Sequence, residues 1–169
     1  LSVGRERSLS MEESARFEGW VDRRLMGEPV QYITGRAAFR HLDLAVDRRV
    51  LIPRPETELL VEAVLDYLAE QAWAQRPPRV LDLGTGSGCI ALAVASEHPS
   101  ARVVAVDASA EALALASVNA HELGLESRVQ FAQGTWFDTL GADDRFDVVV
   151  SNPPYVSPGE EHDLPPDVR

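Results

Sequence analysis

The sequence predicts an α/β protein built on a doubly wound, mostly parallel sheet, and three stretches carry that prediction. Val80-Leu81-Asp82-Leu83 is a short apolar strand that runs into Gly84-Thr85-Gly86-Ser87-Gly88 and then into a helix from Cys89 to Glu97; strand, glycine-rich turn and helix in that order open such folds. Arg102 to Val106 is a second apolar strand and ends in Asp107. Phe146 to Val150 is another, and it stops abruptly at Ser151-Asn152-Pro153-Pro154-Tyr155. Proline has no N–H and a fixed φ, so two in a row end a hydrogen-bonded ladder. Short apolar runs bounded by polar or glycine residues read as buried strands.

From the N-terminus, the first nine residues are mostly polar. Ser10 followed by Glu13 fits a capping box, and Phe17, Trp20, Val21 and Leu25 then recur at helical spacing up to a stop at Gly27. One amphipathic helix cannot bury its apolar face alone. Residues 1–30 are therefore expected to be the end of an N-terminal helical domain, with a solitary packing arm as the alternative. Residues 31–52 are expected to form a linker. The connector from Glu28 to Gly35 leads into it, Ala37–Arg40 and Leu42–Val46 pair as a hairpin, and Val50-Leu51-Ile52 continues as extended chain. The chain begins at Leu1 and stops at Arg169 in a polar, proline-containing segment, and both ends are expected to be truncations.

Ile52-Pro53-Arg54-Pro55-Glu56-Thr57-Glu58 holds the backbone extended before a helix, and its acidic and Thr residues suit a helix start. Leu60, Val61, Val64, Leu65 and Leu68 mark the buried face of that helix, expected to run to about residue 73. Arg54, set rigidly between two prolines, is a candidate site residue. A dinucleotide-binding fingerprint would need a glycine at position 89, where Cys89 stands. Glycines at 84, 86 and 88 after Asp82 instead resemble the loop of S-adenosylmethionine-dependent methyltransferases, which packs against the methionyl part of the cofactor. Asp107, at a strand tip, can accept both ribose hydroxyls; service to the following turn is the alternative. Ser109 caps the next helix, whose buried face is read as Ala112, Leu115, Ala116 and Val118 and which closes at Gly124. Val129 to Ala132 is a third strand. Trp136 beyond it can stack on adenine or plug a loop. Asp138 to Arg145 is too short and polar for a full crossover helix.

The chemistry of Asn152 follows from group types. An amide or aromatic amine is a poor nucleophile because its lone pair is delocalised, so a site that methylates one needs acceptors for its N–H bonds. The Asn152 side-chain oxygen and the Pro153 carbonyl are two such acceptors on one rigid turn, and Tyr155 supplies a flat face for a planar group. A plain strand-ending turn is the alternative.

The 169 residues suffice for one domain, or one and part of another. With 16 basic against 27 acidic residues the net charge is −11, which argues against a non-specific grip on a phosphate backbone. No apolar run is long enough to span a bilayer, and the first residues do not read as a signal peptide, so a cytoplasmic location is expected. Cys89 is the single cysteine, and the histidines are scattered without metal-ligand spacing.

The whole chain resembles the release-factor glutamine methyltransferases, which methylate the side-chain amide of the glutamine in the Gly-Gly-Gln motif of peptide chain release factors. The resemblance rests on Gly27-Glu28-Pro29-Val30-Gln31-Tyr32-Ile33, on Ile52 to Glu58, on Asp82 to Gly88 and on Asn152 to Tyr155, in that order. Asn-Pro-Pro-Tyr alone is shared with adenine-N6 DNA methyltransferases and some rRNA methyltransferases; the Pro-Arg-Pro-Glu-Thr-Glu segment is much more specific.

The resemblance implies a Rossmann-like, seven-stranded methyltransferase sheet, here C-terminally incomplete over residues 53–169, after a helical domain and a hairpin. It implies S-adenosylmethionine as cofactor, with Gly84, Thr85, Gly86, Ser87 and Gly88 lining the methionyl pocket, Asp107 on the ribose, Trp136 on the adenine and Asn152 nearby. Asn152 and Pro153 would accept the substrate amide N–H groups, Pro154 and Tyr155 would pack on that amide, and Arg54 would belong to the substrate side. It implies a release factor as protein partner, no metal, no nucleic-acid substrate, and a monomer when full length. Without the strand expected beyond it, Phe146 to Val150 would be an exposed edge, and residues 1–169 alone are expected to be inactive. The alternatives are methylation of an adenine or guanine amine on a flipped base, or a non-catalytic module that binds the cofactor or a release factor. A nicotinamide-dependent oxidoreductase is disfavoured by the glycine spacing.

Overall fold

The computed structural model describes residues 8–71, 73 and 76–153. In chain order the elements are α1 (Met11–Leu25), α2 (Val30–Thr34), β1 (Arg36–Phe39), β2 (Leu42–Ala45), α3 (Thr57–Glu70), β3 (Arg79–Leu83), α4 (Cys89–Glu97), β4 (Arg102–Asp107), α5 (Ala110–Glu122), β5 (Val129–Gln133) and β6 (Val148–Ser151). Strands β5-β4-β3-β6 lie side by side in one parallel sheet, and β1 and β2 form a separate antiparallel pair. No helix among the described residues is long and apolar enough to cross a membrane.

Side chains set several of the helix ends. Ser10 Oγ accepts from the Glu13 N–H at 3.1 Å while the Glu13 carboxylate accepts from the Ser10 N–H at 2.8 Å, the reciprocal cap expected for α1. Ser109 Oγ accepts from the Ala112 N–H at 3.1 Å and starts α5. Helix α3 ends at Glu70 rather than near residue 73. There the indole N–H of Trp73 donates to the Leu68 carbonyl at 2.7 Å and satisfies a carbonyl that a longer helix would have used.

Three further expectations are corrected. The connector before Gly35 contains the short helix α2. Pro29 suits a helix start because it has no N–H to lose, its carbonyl accepts from the N–H groups of Tyr32 and Ile33, and Gly35 ends the turn at φ +74. Val118 is not on the buried face of α5; it is 49% exposed, and the buried position one residue on is the polar Asn119. Strand β6 begins at Val148 rather than Phe146. Asp147 marks the boundary: its carboxylate accepts from the Arg76 guanidinium at 2.6 and 2.7 Å and from the Arg79 N–H at 2.8 Å.

The core is layered as the strand period of two requires. Val80, Val103, Ala105, Val129 and Val150 face one way and share a buried cluster with α3, α4 and the end of α5. Leu81, Leu83 and Val106 face the other way, with Leu140 and Phe146 of the β5–β6 connection packed on them. The hairpin joins the first layer through Phe39, Leu42 and Leu44. By contrast, α1 has no buried residue: Phe17, Trp20, Val21 and Leu25 are exposed.

Buried Asn119 ties the hairpin to the main sheet. Its side-chain oxygen accepts from the Ala45 N–H at 2.7 Å, and its amide donates to the carbonyls of Ala45 at 3.1 Å and Ser87 at 2.9 Å. One side chain thus satisfies the outer edge of β2 and the far end of the glycine turn. Asn119→Ala strands these three backbone groups and is expected to destabilise the fold by about 2–3 kcal/mol, read as a lowered midpoint in urea unfolding. A midpoint unchanged from wild type would remove Asn119 from this role.

Candidate active site

The carboxyl ends of β3 and β6 meet where the sheet reverses its strand order, the place at which open α/β sheets bind ligands. The register pairs Leu83 with Ser151, and Ser151 Oγ donates to the Leu83 carbonyl at 2.7 Å. The glycine turn leaves one strand and Asn152 leaves the other. A cleft forms between them, closed on its third side by Ile52, Pro53, Arg54 and Thr57.

The glycine turn is pinned from beside and beneath. The N–H groups of Gly84 and Thr85 both donate to the Val106 carbonyl, at 2.8 and 3.0 Å. Asp107 Oδ2 accepts from the Gly86 N–H at 2.8 Å, and its Oδ1 from the Ser109 N–H at 2.9 Å. Gly86 adopts φ +55, which a side chain would strain, and a Cβ placed there would stand in open space rather than against protein. Gly88 is needed for the opposite reason: a Cβ there would meet Leu92 Cδ1 at 3.0 Å and Ala116 Cβ at 3.3 Å. Beneath the turn, Asp82 is fully buried. Its Oδ2 accepts from the Thr85 hydroxyl at 2.6 Å and the Ala91 N–H at 3.2 Å, while its Oδ1 has no partner among the described residues. Burial pushes the Asp82 carboxyl up to about 6, the two donors offset part of this, and the charge of Asp107 adds to it. Burial likewise pushes the Cys89 thiol up to about 12, aided by the Asp82 charge, so Cys89 packs as a neutral thiol.

Asn152 is held by a residue that sequence reading passed over. Its Nδ2 donates to Thr57 Oγ1 at 2.9 Å. Thr57 is the first residue of α3 and is buried. Of the residues singled out from sequence, Arg54, Gly84, Thr85, Gly86, Ser87 and Asn152 line the one cleft. Asp107 touches the turn from its flank, Gly88 packs under it, and Pro153 follows Asn152 half-buried. Trp136 stands apart, past the end of β5, at φ +55 and 53% exposed. Pro154 and Tyr155 lie outside the described residues. A second concavity, between α1, α2 and Arg48, contains none of these groups; its Arg23 and Arg48 are both engaged by Glu28.

Asp82 makes stability depend on pH in a defined direction. Its folded carboxyl is raised above the ordinary 3.8, so between that value and about 6 the folded protein holds a proton that the unfolded chain has released. The stability it contributes is full below about pH 4, falls as pH rises to about 6 and is level above. The difference in unfolding free energy between wild type and Asp82→Asn is expected to shrink by up to about 3 kcal/mol across that window. Urea unfolding at a series of pH values measures it, and a difference independent of pH would contradict the burial account.

Comparison with known proteins agrees with this arrangement. Residues 57–164 match the methyltransferase small domain, and residues 1–35 match the PrmC N-terminal domain. The release factor glutamine methyltransferase of Aliivibrio fischeri is 45% identical over 164 residues, covering 97% of this chain and 56% of that protein. Its counterpart in Bordetella pertussis is 50% identical over 147 residues, covering 87% of this chain and 52% of that protein. The chain therefore spans a little over half the length of these curated relatives. Among solved structures, the human methyltransferase 10 domain containing protein superposes with a TM-score of 0.59 at 19% identity, over 89% of this chain and 65% of its own. An S-adenosylmethionine-dependent methyltransferase from Agrobacterium tumefaciens does so with 0.57 at 21% identity, over 70% and 39%; both show the shared fold. The site fits S-adenosylmethionine as cofactor: Gly84 and Gly86 face open space where side chains would obstruct a ligand, and Asp107 stands beside them. The chain belongs to the methyltransferase small domain family and, within it, groups with the release factor glutamine methyltransferases.

Proposed function

We propose that this chain is the catalytic core of an enzyme that moves a methyl group from S-adenosylmethionine to the side-chain amide nitrogen of the glutamine in the Gly-Gly-Gln motif of peptide chain release factors. The observation that carries the proposal is the convergence of the glycine turn and the Thr57-held Asn152 on one cleft. The names of the relatives support the choice of substrate.

When bound, S-adenosylmethionine supplies an electrophilic methyl group on a positively charged sulfur. The protein's own contribution is mainly placement. Gly84 to Ser87 present backbone to the methionyl part. Asp107 already accepts from two backbone N–H groups, and a carboxylate has further lone pairs for ribose hydroxyls. Trp136 serves the adenine, and Arg54 holds the substrate chain at the cleft wall. Asn152 Oδ1 and the Pro153 carbonyl accept the two N–H bonds of the glutamine amide. Taking up the methyl group would build positive charge on the amide nitrogen. Both acceptors then hold it more tightly than in the ground state, which lowers the barrier. The surplus N–H proton passes to water after transfer.

The full-length enzyme, given labelled cofactor, is expected to methylate a release factor and not the same factor with its Gly-Gly-Gln glutamine replaced. Label on duplex DNA, or on both release factors equally, would overturn the proposal; the net charge of −11 already disfavours a nucleic-acid substrate. Asp107→Ala is expected to weaken S-adenosylhomocysteine binding about 10- to 150-fold in calorimetric titration, toward the upper end because the turn loses its brace as well. Asn152→Ala is expected to slow single-turnover transfer by about 10²-fold or more while changing cofactor affinity less. Rates within a few-fold of wild type would remove Asn152 from the amide clamp.

A further inference from the structure

We infer that Thr57 is a positioning residue: its hydroxyl holds one edge of the Asn152 amide and so fixes the plane and place in which the opposite edge of that amide is offered to the substrate. An asparagine amide has a donor edge and an acceptor edge that exchange when the group turns over. Turned the wrong way, Asn152 would present N–H groups to the N–H groups of an acceptor amide, and the clamp would repel its ligand. In the structure Thr57 Oγ1 accepts from Asn152 Nδ2 at 2.9 Å. With the nitrogen edge engaged, the opposite edge of the same rigid plane carries the oxygen.

Two features single Thr57 out from an ordinary helix-start threonine. The residue is buried, yet its hydroxyl caps nothing: the N-cap of α3 is Glu56, and α3 has no side-chain cap hydrogen bond. The backbone around it is also fixed by the preceding turn. The Thr57 N–H donates to the Arg54 carbonyl and the Glu58 N–H to the Pro55 carbonyl, each at 3.0 Å. A β-branched side chain on such a backbone has few rotamers to choose from. The Pro-Arg-Pro segment therefore serves the site twice, by placing Arg54 on the cleft wall and by presenting a hydroxyl to Asn152.

The catalytic consequence rests on the proposed methyl transfer, whereas the positioning itself does not, and the test separates them. Thr57→Val preserves shape and deletes the hydroxyl; Thr57→Ser restores it. In the 15N-labelled full-length enzyme, the Asn152 side-chain NH2 resonances are expected to shift in Thr57→Val and to return in Thr57→Ser. In single-turnover assays on a release factor, Thr57→Val is expected to lower the maximal rate about 10- to 10²-fold. S-adenosylhomocysteine affinity should stay within about three-fold, the rate of a small misplacement rather than of lost binding. Recovery of the rate in Thr57→Ser would show that the hydroxyl is responsible. Unchanged Asn152 resonances in Thr57→Val, or a Thr57→Ser enzyme as impaired as Thr57→Val, would overturn the inference. If the wild-type enzyme fails to methylate the release factor while the resonances move as described, the substrate assignment falls and the positioning stands.

Discussion

Both halves of the cleft hang on the parallel pairing of β3 with β6. The glycine turn is the continuation of one strand and Asn152 that of the other, so their separation is set by register alone. That register is clamped at both ends. At the start, Asp147 exchanges two hydrogen bonds with the Arg79 backbone, its N–H donating to the carbonyl and its carboxylate accepting from the N–H. Arg76 holds this carboxylate well below the usual range, at about 2. At the finish, Ser151 Oγ closes on the Leu83 carbonyl. A slip of one residue would send Val150 out of the core and Asn152 to the other face of the sheet.

Around that pairing, two carboxylates hold the glycine turn in complementary ways. Asp82 sits beneath it in the dry core and gathers the Thr85 hydroxyl and the first turn of α4; Asp107 stands at its flank and gathers the Gly86 and Ser109 N–H groups. The turn's conformation is therefore formed by the protein itself, and a ligand arriving there meets backbone already in place. Pre-organisation of this kind is what a reaction driven by placement requires. Asn119 extends the arrangement outward, joining the Ser87 carbonyl to the edge of the hairpin.

The parts legible in sequence were those with a short-range signal. The glycine turn, the apolar strands, the Ser10 and Ser109 caps and the proline-terminated β6 each announce themselves within a few residues, and each stands close to where it was expected. What escaped were pairs distant along the chain. Thr57 and Asn152 lie 95 residues apart, and Asn119 and Ala45 lie 74 apart; nothing in local spacing joins them. The α5 error has the same root. Helical periodicity assigns buried slots to apolar letters, so it favours Val118 over Asn119, whose polar groups are buried because backbone partners await them. Helix α2, at five residues, is too short for periodicity to register.

The central claim is that this cleft clamps an acceptor amide by Asn152 and Pro153 opposite the glycine turn. A crystal structure of the full-length enzyme with S-adenosylhomocysteine and a release factor tests it most directly. The glutamine nitrogen is expected to donate to Asn152 Oδ1 and the Pro153 carbonyl within about 3.2 Å, facing the cofactor sulfur, with Asn152 Nδ2 still on Thr57. A glutamine bound elsewhere, or an Asn152 amide turned so that its nitrogen faces the substrate, would contradict it.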